Sequence, residues 1–105
     1  MGAGGASGRF EIVLAHLDGY VRVKLRGDLD YAASVENAET LKEVTDLRER
    51  VVLDMSEVVF MDSAGLRFIL AVARRHDGPL RIEHASRQVR RVFELTGLAG
   101  YVDLA

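Results

Sequence analysis

Apolar and polar positions alternate from Phe10 to His16, with Phe10, Ile12 and Leu14 on one side and Glu11, Val13 and Ala15 on the other. A period of two marks a half-buried strand. Asp18-Gly19 follows, a two-residue turn in which glycine accepts the positive φ that closes a hairpin. From Tyr20 to Arg26 the alternation is stricter, with Val21, Val23 and Leu25 facing one way and Arg22, Lys24 and Arg26 the other. The chain is therefore expected to open with an antiparallel hairpin whose second strand has one polar face.

The alternation breaks at Gly27-Asp28-Leu29-Asp30. From about Ala32 to Glu49 the pattern predicts a helix. Val35, Ala38, Leu41, Val44 and Leu47 recur every third residue, an imperfect stripe that drifts around the cylinder. Val51-Val52-Leu53 is a short continuous apolar run, which predicts a strand covered on both faces and ending near Met55, with a loop after it. Ser63 to Arg75 predicts a second, largely buried helix, stopped by Asp77-Gly78-Pro79. Leu80 to His84 predicts a fourth strand. Ser86 is placed to cap a third helix, with Val89, Val92 and Phe93 on its apolar stripe and Gly97 at its end. Leu98 to Ala105 is expected to add a short helix or turn. The order β-β-α-β-α-β-α, with right-handed crossovers, predicts an α/β fold. It would be a mixed sheet of four or five strands with an antiparallel edge hairpin and three to four helices.

Composition narrows the function more than the fold. At 105 residues the chain is the size of one domain. Residues 1–8, rich in Gly, Ala and Ser, are expected to be a flexible tail, and residues 9–105 the domain. Fourteen basic and sixteen acidic residues leave a net charge of −2, which argues against nucleic-acid binding. The absence of cysteine excludes disulfides, thiolate metal sites and cysteine nucleophiles. No apolar run approaches the ~20 residues that span a bilayer. Met1 to Gly8 lacks the charged start and apolar stretch of a signal peptide. A cytoplasmic location without membrane insertion is therefore expected. His16, His76 and His84 lie in separate segments without metal-ligand spacing, so no metal or other cofactor is implied.

The segment Asp54 to Leu66, DMSEVVFMDSAGL, carries the candidate chemistry. It places an aspartate, a serine and a glycine at the start of an otherwise apolar helix. One reading is capping, in which Asp62 or Ser63 accepts hydrogen bonds from the unpaired amides of the first turn, stabilising the helix by ~1 kcal/mol. The other is phosphorylation. A helix N-terminus carries roughly half a positive charge and tolerates a phosphate on Ser63. Gly65 leaves a partner's approach unobstructed, and Arg67, one turn later, is placed to pair with the phosphate. Asp62 opposes it, as do Asp28 and Asp30 if the fold brings them near.

Asp62-Ser63-Ala64-Gly65-Leu66, after Val58-Val59-Phe60-Met61, resembles the phosphorylation segment of bacterial anti-sigma factor antagonists, members of the STAS domain family. Gly27-Asp28-Leu29-Asp30, followed by Ala32 and Ala33, is similar to that family's second motif, and Leu95-Thr96-Gly97-Leu98 to its closing helix end. The similarity runs from Phe10 to Ala105. It implies a single STAS-like domain that acts by partner switching and is not an enzyme. The unmodified protein would bind an anti-sigma factor that is also an ATP-dependent serine kinase, freeing the sigma factor. Phosphorylation of Ser63 would release it, and a serine phosphatase would reset it. Matched by position, Asp62, Gly65, Asp28 and Asp30 would support the phosphosite. Gly27, Asp28, Leu29, Asp30, Tyr31, Ala64, Leu66 and Arg67 would form the partner-binding surface. Ala64 and Arg67 depart from the family pattern, the first removing a second hydroxyl and the second bearing on which kinase is accepted. STAS-like domains also serve, without a phosphorylation cycle, as interaction subunits of transporters or signalling scaffolds, and that is the alternative.

A serine hydrolase would need a base near Ser63, and His84 is the one candidate. Arg87, Arg90 and Arg91 read as the solvated face of a helix, and Arg74-Arg75 as complements to a helix dipole.

Overall fold

A computed structural model of the chain describes residues 10–105, so the tail expected at residues 1–8 lies outside the described residues. Strands β1 (Phe10–Leu17) and β2 (Tyr20–Leu29) pair antiparallel, from Phe10 opposite Gly27 to Leu17 opposite Tyr20. The turn is Asp18-Gly19, and Gly19 has the positive φ, +89°, that a tight hairpin needs. The chain continues through α1 (Tyr31–Glu36), α2 (Ala38–Thr45), β3 (Arg50–Met61), α3 (Ser63–Ala73), β4 (Leu80–Glu83) and α4 (Arg87–Thr96). A single 3₁₀ turn, Ala99–Tyr101, leads into β5 (Val102–Leu104).

The five strands lie in chain order, β1-β2-β3-β4-β5, and all neighbours after the hairpin are parallel. Each crossover from β2 to β5 therefore steps the same way across the sheet. Right-handed connections that step one way stack every helix on one face. One core results, in which Val21, Val23, Leu25, Leu53 and Ile82 from the sheet meet Leu41, Val44, Ile69, Val72, Val89 and Phe93 from the helices.

Among the described residues no helix lies over the other face, and that face is charged. Arg22 of β2 bonds both Asp54 of β3 (3.1 Å) and Glu83 of β4. Lys24 and Arg26 hold Glu57 at 2.6 and 2.8 Å, and Arg26 also reaches Glu11 of β1 at 2.9 Å. Arg81 closes the row on Asp103 of β5 at 3.2 Å. The expectation that Val51-Val52-Leu53 is covered on both faces holds, since all three are buried, but on this face the cover is the ion-pair row and not a layer of helices. Val52 and Asp54 are buried under neighbouring side chains of that row.

Three expectations are corrected or extended. The helix expected over residues 32–49 is two helices broken at Asn37, whose backbone (φ −114°, ψ 24°) is not helical. The Asn37 amide and its side-chain Nδ2 both donate to the Ala33 carbonyl at 2.9 Å, closing α1. A stripe of period three loses about 60° per step against a helix of 3.6 residues per turn, so no straight helix buries all of it. The break lets Leu41 and Val44 go in and leaves Val35 out. Next, β3 does not end near Met55 but runs 12 residues to Met61. Two register shifts against β2, between Lys24 and Arg26 and between Gly27 and Asp28, each add a residue to β3. These bulges destroy the period of two by which a strand is recognised. Finally, the segment after Leu98 does form the expected short turn, at Ala99–Tyr101, but then runs on into a strand, whose terminus is tied down by Ala105 N–H donating to the Ile82 carbonyl at 2.9 Å.

The ion-pair row predicts a pH dependence. Burial pushes the Asp54 carboxyl up, but hydrogen bonds from Ser56 and Arg22 outweigh it and hold the group below its ordinary range. The hydrogen bond from Arg22 does the same to Glu83, and those from Lys24 and Arg26 to Glu57. A carboxylate lowered by folding stabilises the native state above its unfolded pKa and loses that contribution as pH falls through the folded value. The urea midpoint is expected to hold from neutrality to about pH 5 and to drop as the pH falls below about 4. Arg22→Met should show a smaller drop than the parent chain, and an identical drop in both would locate the acid sensitivity elsewhere.

Candidate functional site

The last residue pair of β2 and β3 is Leu29 opposite Met61. Beyond it both strands turn directly into helices, β2 into α1 and β3 into α3, so two helix N-termini lie side by side. Each is capped by its own aspartate. Asp30 Oδ1 accepts from Ala33 N–H at 2.9 Å. Asp62 Oδ1 accepts from the amides of Ala64 (2.9 Å) and Gly65 (3.2 Å). The second oxygen of Asp62 crosses to the other helix and accepts from Tyr31 N–H at 3.0 Å. Asp62 N–H donates back to the Leu29 carbonyl at 3.4 Å.

Capping and an accessible serine therefore coexist. Asp62 takes the unpaired amides of the first turn. Ser63, the first residue of α3, is exposed, and its hydroxyl makes no hydrogen bond among the described residues. It stands at the positive end of a largely buried 11-residue helix, free of a structural duty. Arg67 is exposed one turn further along α3 and has no carboxylate partner among the described residues.

The two segments singled out from sequence are brought together, but their residues divide into two roles. Asp28, Asp30, Tyr31, Ser63 and Arg67 reach the surface in whole or in part. Leu29, Ala64, Gly65 and Leu66 are buried. This corrects the expectation that Leu29, Ala64 and Leu66 present side chains to a partner. Leu29 and Leu66 belong to the core that joins the two helix starts to the sheet. Gly65 is corrected too, because it clears no path for a partner. A Cβ there would overlap the Leu29 carbonyl oxygen and lie 2.8 Å from both Leu29 Cγ and Met61 Cγ, so the glycine is what lets α3 press against the end of β2. Gly27, at φ +103°, sits at the second register shift, where a left-handed backbone turns β2 toward α1.

Sequence reasoning missed an apolar rim around this end of the sheet. Val59 is 70% exposed, and Phe60, paired with Asp28, is 43% exposed. Tyr31, already placed on the partner surface by sequence, is 68% exposed, and Val35, one turn later on α1, is 56% exposed. Large apolar side chains left in water next to a charged loop mark a surface made for contact. The signal available was Val58-Val59-Phe60 itself, three apolar residues in a row, only the first of which the bulged strand buries.

His84 stands away from this site. It follows Glu83, which pairs with Asp54, and β3 runs on for seven residues past that pair. At ~3.3 Å per residue His84 is roughly 20 Å from the end of β3 that carries Ser63. Among the described residues no helix is long and apolar enough to cross a membrane.

The family model described as "Mlab, STAS domain" matches residues 12–104. A relative in Bordetella bronchiseptica, named "Putative anti-sigma factor antagonist BtrV", is 31% identical over 99 residues, covering 90% of this chain and 85% of that protein. The crystal structure of an anti-sigma factor antagonist from Mycobacterium paratuberculosis superposes with a TM-score of 0.77 at 22% identity, over 90% of this chain and 84% of that one. The anti-sigma factor antagonist SpoIIAA in its unphosphorylated form does so with a TM-score of 0.65 at 24% identity, over 90% and 88%. The mixed sheet with its antiparallel hairpin, the paired helix starts and a match over nearly every described residue agree, and the chain belongs to the STAS domain family.

Proposed function

We propose that this chain is a cytoplasmic anti-sigma factor antagonist whose docking is switched by phosphorylation of Ser63. The observation that carries the reading is the division of labour at the start of α3. Asp62 caps the helix and leaves the Ser63 hydroxyl exposed and unbonded, so that it can be modified without unfolding anything. The names of the Bordetella relative and of the structural neighbours support the antagonist role.

In the unmodified state, the rim of Tyr31, Val35, Val59 and Phe60 and the loop from Gly27 to Tyr31 meet an anti-sigma factor that is also a serine kinase. The kinase supplies Mg-ATP and a base. Ser63 Oγ attacks the γ-phosphorus, its proton passes to the kinase's base, the new O–P bond forms and ADP leaves with the old one. A serine phosphatase reverses the modification by hydrolysis. The chain itself is substrate and ligand in this cycle, not an enzyme. The new group carries nearly two negative charges. The helix end and Arg67 tolerate it in the free protein, while Asp62 beside it repels it. Enclosing it at an interface without partners costs several kcal/mol, and each ~1.4 kcal/mol is a tenfold loss of affinity.

Incubation with an anti-sigma serine kinase and Mg-ATP is expected to add one phosphoryl group, located on Ser63 by mass spectrometry and absent from Ser63→Ala. No phosphate under these conditions, together with copurification with a transporter ATPase, would overturn the reading in favour of an interaction subunit.

A further inference from the structure

The opposite end of the sheet holds a second constellation that the switch does not use. A cavity of about 710 Å³ opens where β3 begins, bounded by the loop before it, the end of α3 and the edges of β4 and β5. Arg48, Arg50, Arg75 and Arg81 converge on it over a floor of Val51, Pro79 and Val102. Two carboxylates, Asp77 and Asp103, share the lining and leave a surplus of two positive charges. Arg81 is committed to Asp103 and Glu83. Arg48, Arg50 and Arg75 form no ion pair among the described residues, although Arg75 lies near enough to Asp46 to assist the Lys42 hydrogen bond in holding that carboxyl below its ordinary range.

The wall behind these arginines is fixed. His76 Nε2 accepts from Val51 N–H at 3.0 Å and its Nδ1 lies 2.9 Å from the Val72 carbonyl, so the ring fastens the end of α3 to the start of β3. The carbonyls of Leu70, Val72 and Ala73 accept from the next amides of the chain, which mutes the negative end of α3 beside the cavity. Arg75, exposed just past the end of α3, is one of the cationic side chains lining the cavity. Guanidinium forks match phosphate oxygens two at a time, and several unpaired ones around a cavity of ligand size form an anion receptor.

We propose that this cavity binds a small oligophosphate, a ligand with at least two phosphate groups. The surplus charge and the three unpaired guanidiniums exceed what a single phosphate engages, and the volume falls in the range of small-molecule sites. The ligand is either a free inorganic oligophosphate or the diphosphate of an organic ester whose other end lies on the apolar floor. The site is separate from Ser63, since the two lie at opposite ends of α3, roughly 18 Å apart at ~1.5 Å per residue.

The test is titration calorimetry at low salt with inorganic pyrophosphate and, separately, a nucleoside diphosphate, alongside amide NMR. Saturable pyrophosphate binding is expected, with shifts at Val51, His76 and Val102. Arg50→Gln combined with Arg75→Gln should weaken it by about tenfold or more. Both residues are exposed, so the fold should survive. Arg87→Gln combined with Arg91→Gln should leave it unchanged, and so should Ser63→Ala. Tighter binding of the nucleoside diphosphate identifies an organic ester as the ligand, and equal binding a free oligophosphate. No saturable binding at millimolar pyrophosphate, or equal weakening by the Arg87 and Arg91 changes, overturns the proposal. Neither result touches the phosphorylation assay at Ser63.

Discussion

Ser63→Ala is expected to keep full affinity for the anti-sigma kinase and to lose all reversal by ATP, while Ser63→Asp is expected to lower affinity by about tenfold or more. The two effects separate because the hydroxyl supports nothing in the free protein. It is exposed and unbonded, so its removal should change stability by less than about 0.5 kcal/mol. An aspartate at the first position of α3 is mildly favoured by the helix dipole, so Ser63→Asp should fold at least as well as the parent. Any loss of binding then reads the charge presented to the partner. Calorimetry or surface-based binding with both variants and the unmodified chain makes the comparison. Equal affinity for Ser63→Asp and the parent would sink an electrostatic switch.

Gly65→Ala is expected to have the largest effect on stability. Helix propensity favours alanine over glycine by ~1 kcal/mol in a helix interior. The surroundings oppose it far more strongly. The added methyl would overlap the backbone oxygen of Leu29, which cannot rotate away as a side chain does, and would crowd Leu29 Cγ and Met61 Cγ at 2.8 Å. Relief requires α3 to lift from β2, which strains the bonds from Asp62 to Tyr31, Ala64 and Gly65. A net cost of about 3 kcal/mol, or a fall in thermal midpoint of about 10 °C or more, is expected. A midpoint equal to the parent's or above it would contradict so close an approach of helix and strand.

How much of this was legible in sequence depended on whether a local signal went unopposed. The hairpin was legible because alternation, the Asp-Gly turn and the polar face of β2 agree. Helices α3 and α4 were legible from caps and stripes, and Gly97, at φ +73°, ends α4 as expected. The early helix was legible only as helical tendency, since its break depends on Asn37 bonding its own previous turn. The second half of β3 was illegible because bulges scramble the very period by which strands are recognised. At the site, sequence brought forward the right two segments but left the cap undecided between Asp62 and Ser63. It also assigned Leu29, Ala64 and Leu66 to the partner-binding surface. Both questions turn on the contact between β2 and α3, residues about thirty-five positions apart in the chain, and no local pattern reports that contact.

The two extra residues in β3 turn the location of Ser63 into a matter of counting. Successive strand residues look to opposite sides, so Met61 enters the core and Asp62 meets both helix starts only because the stretch from Met55 to Met61 has its present length. Deleting a single residue from Ser56 to Phe60 would force β3 either to give up a bulge or to slip its register with β2, and a slip would send Met61 into water and Ser63 to the wrong side. Gaps in this stretch should therefore be far scarcer among related chains than gaps between α3 and β4, where Gly78 has open space around it.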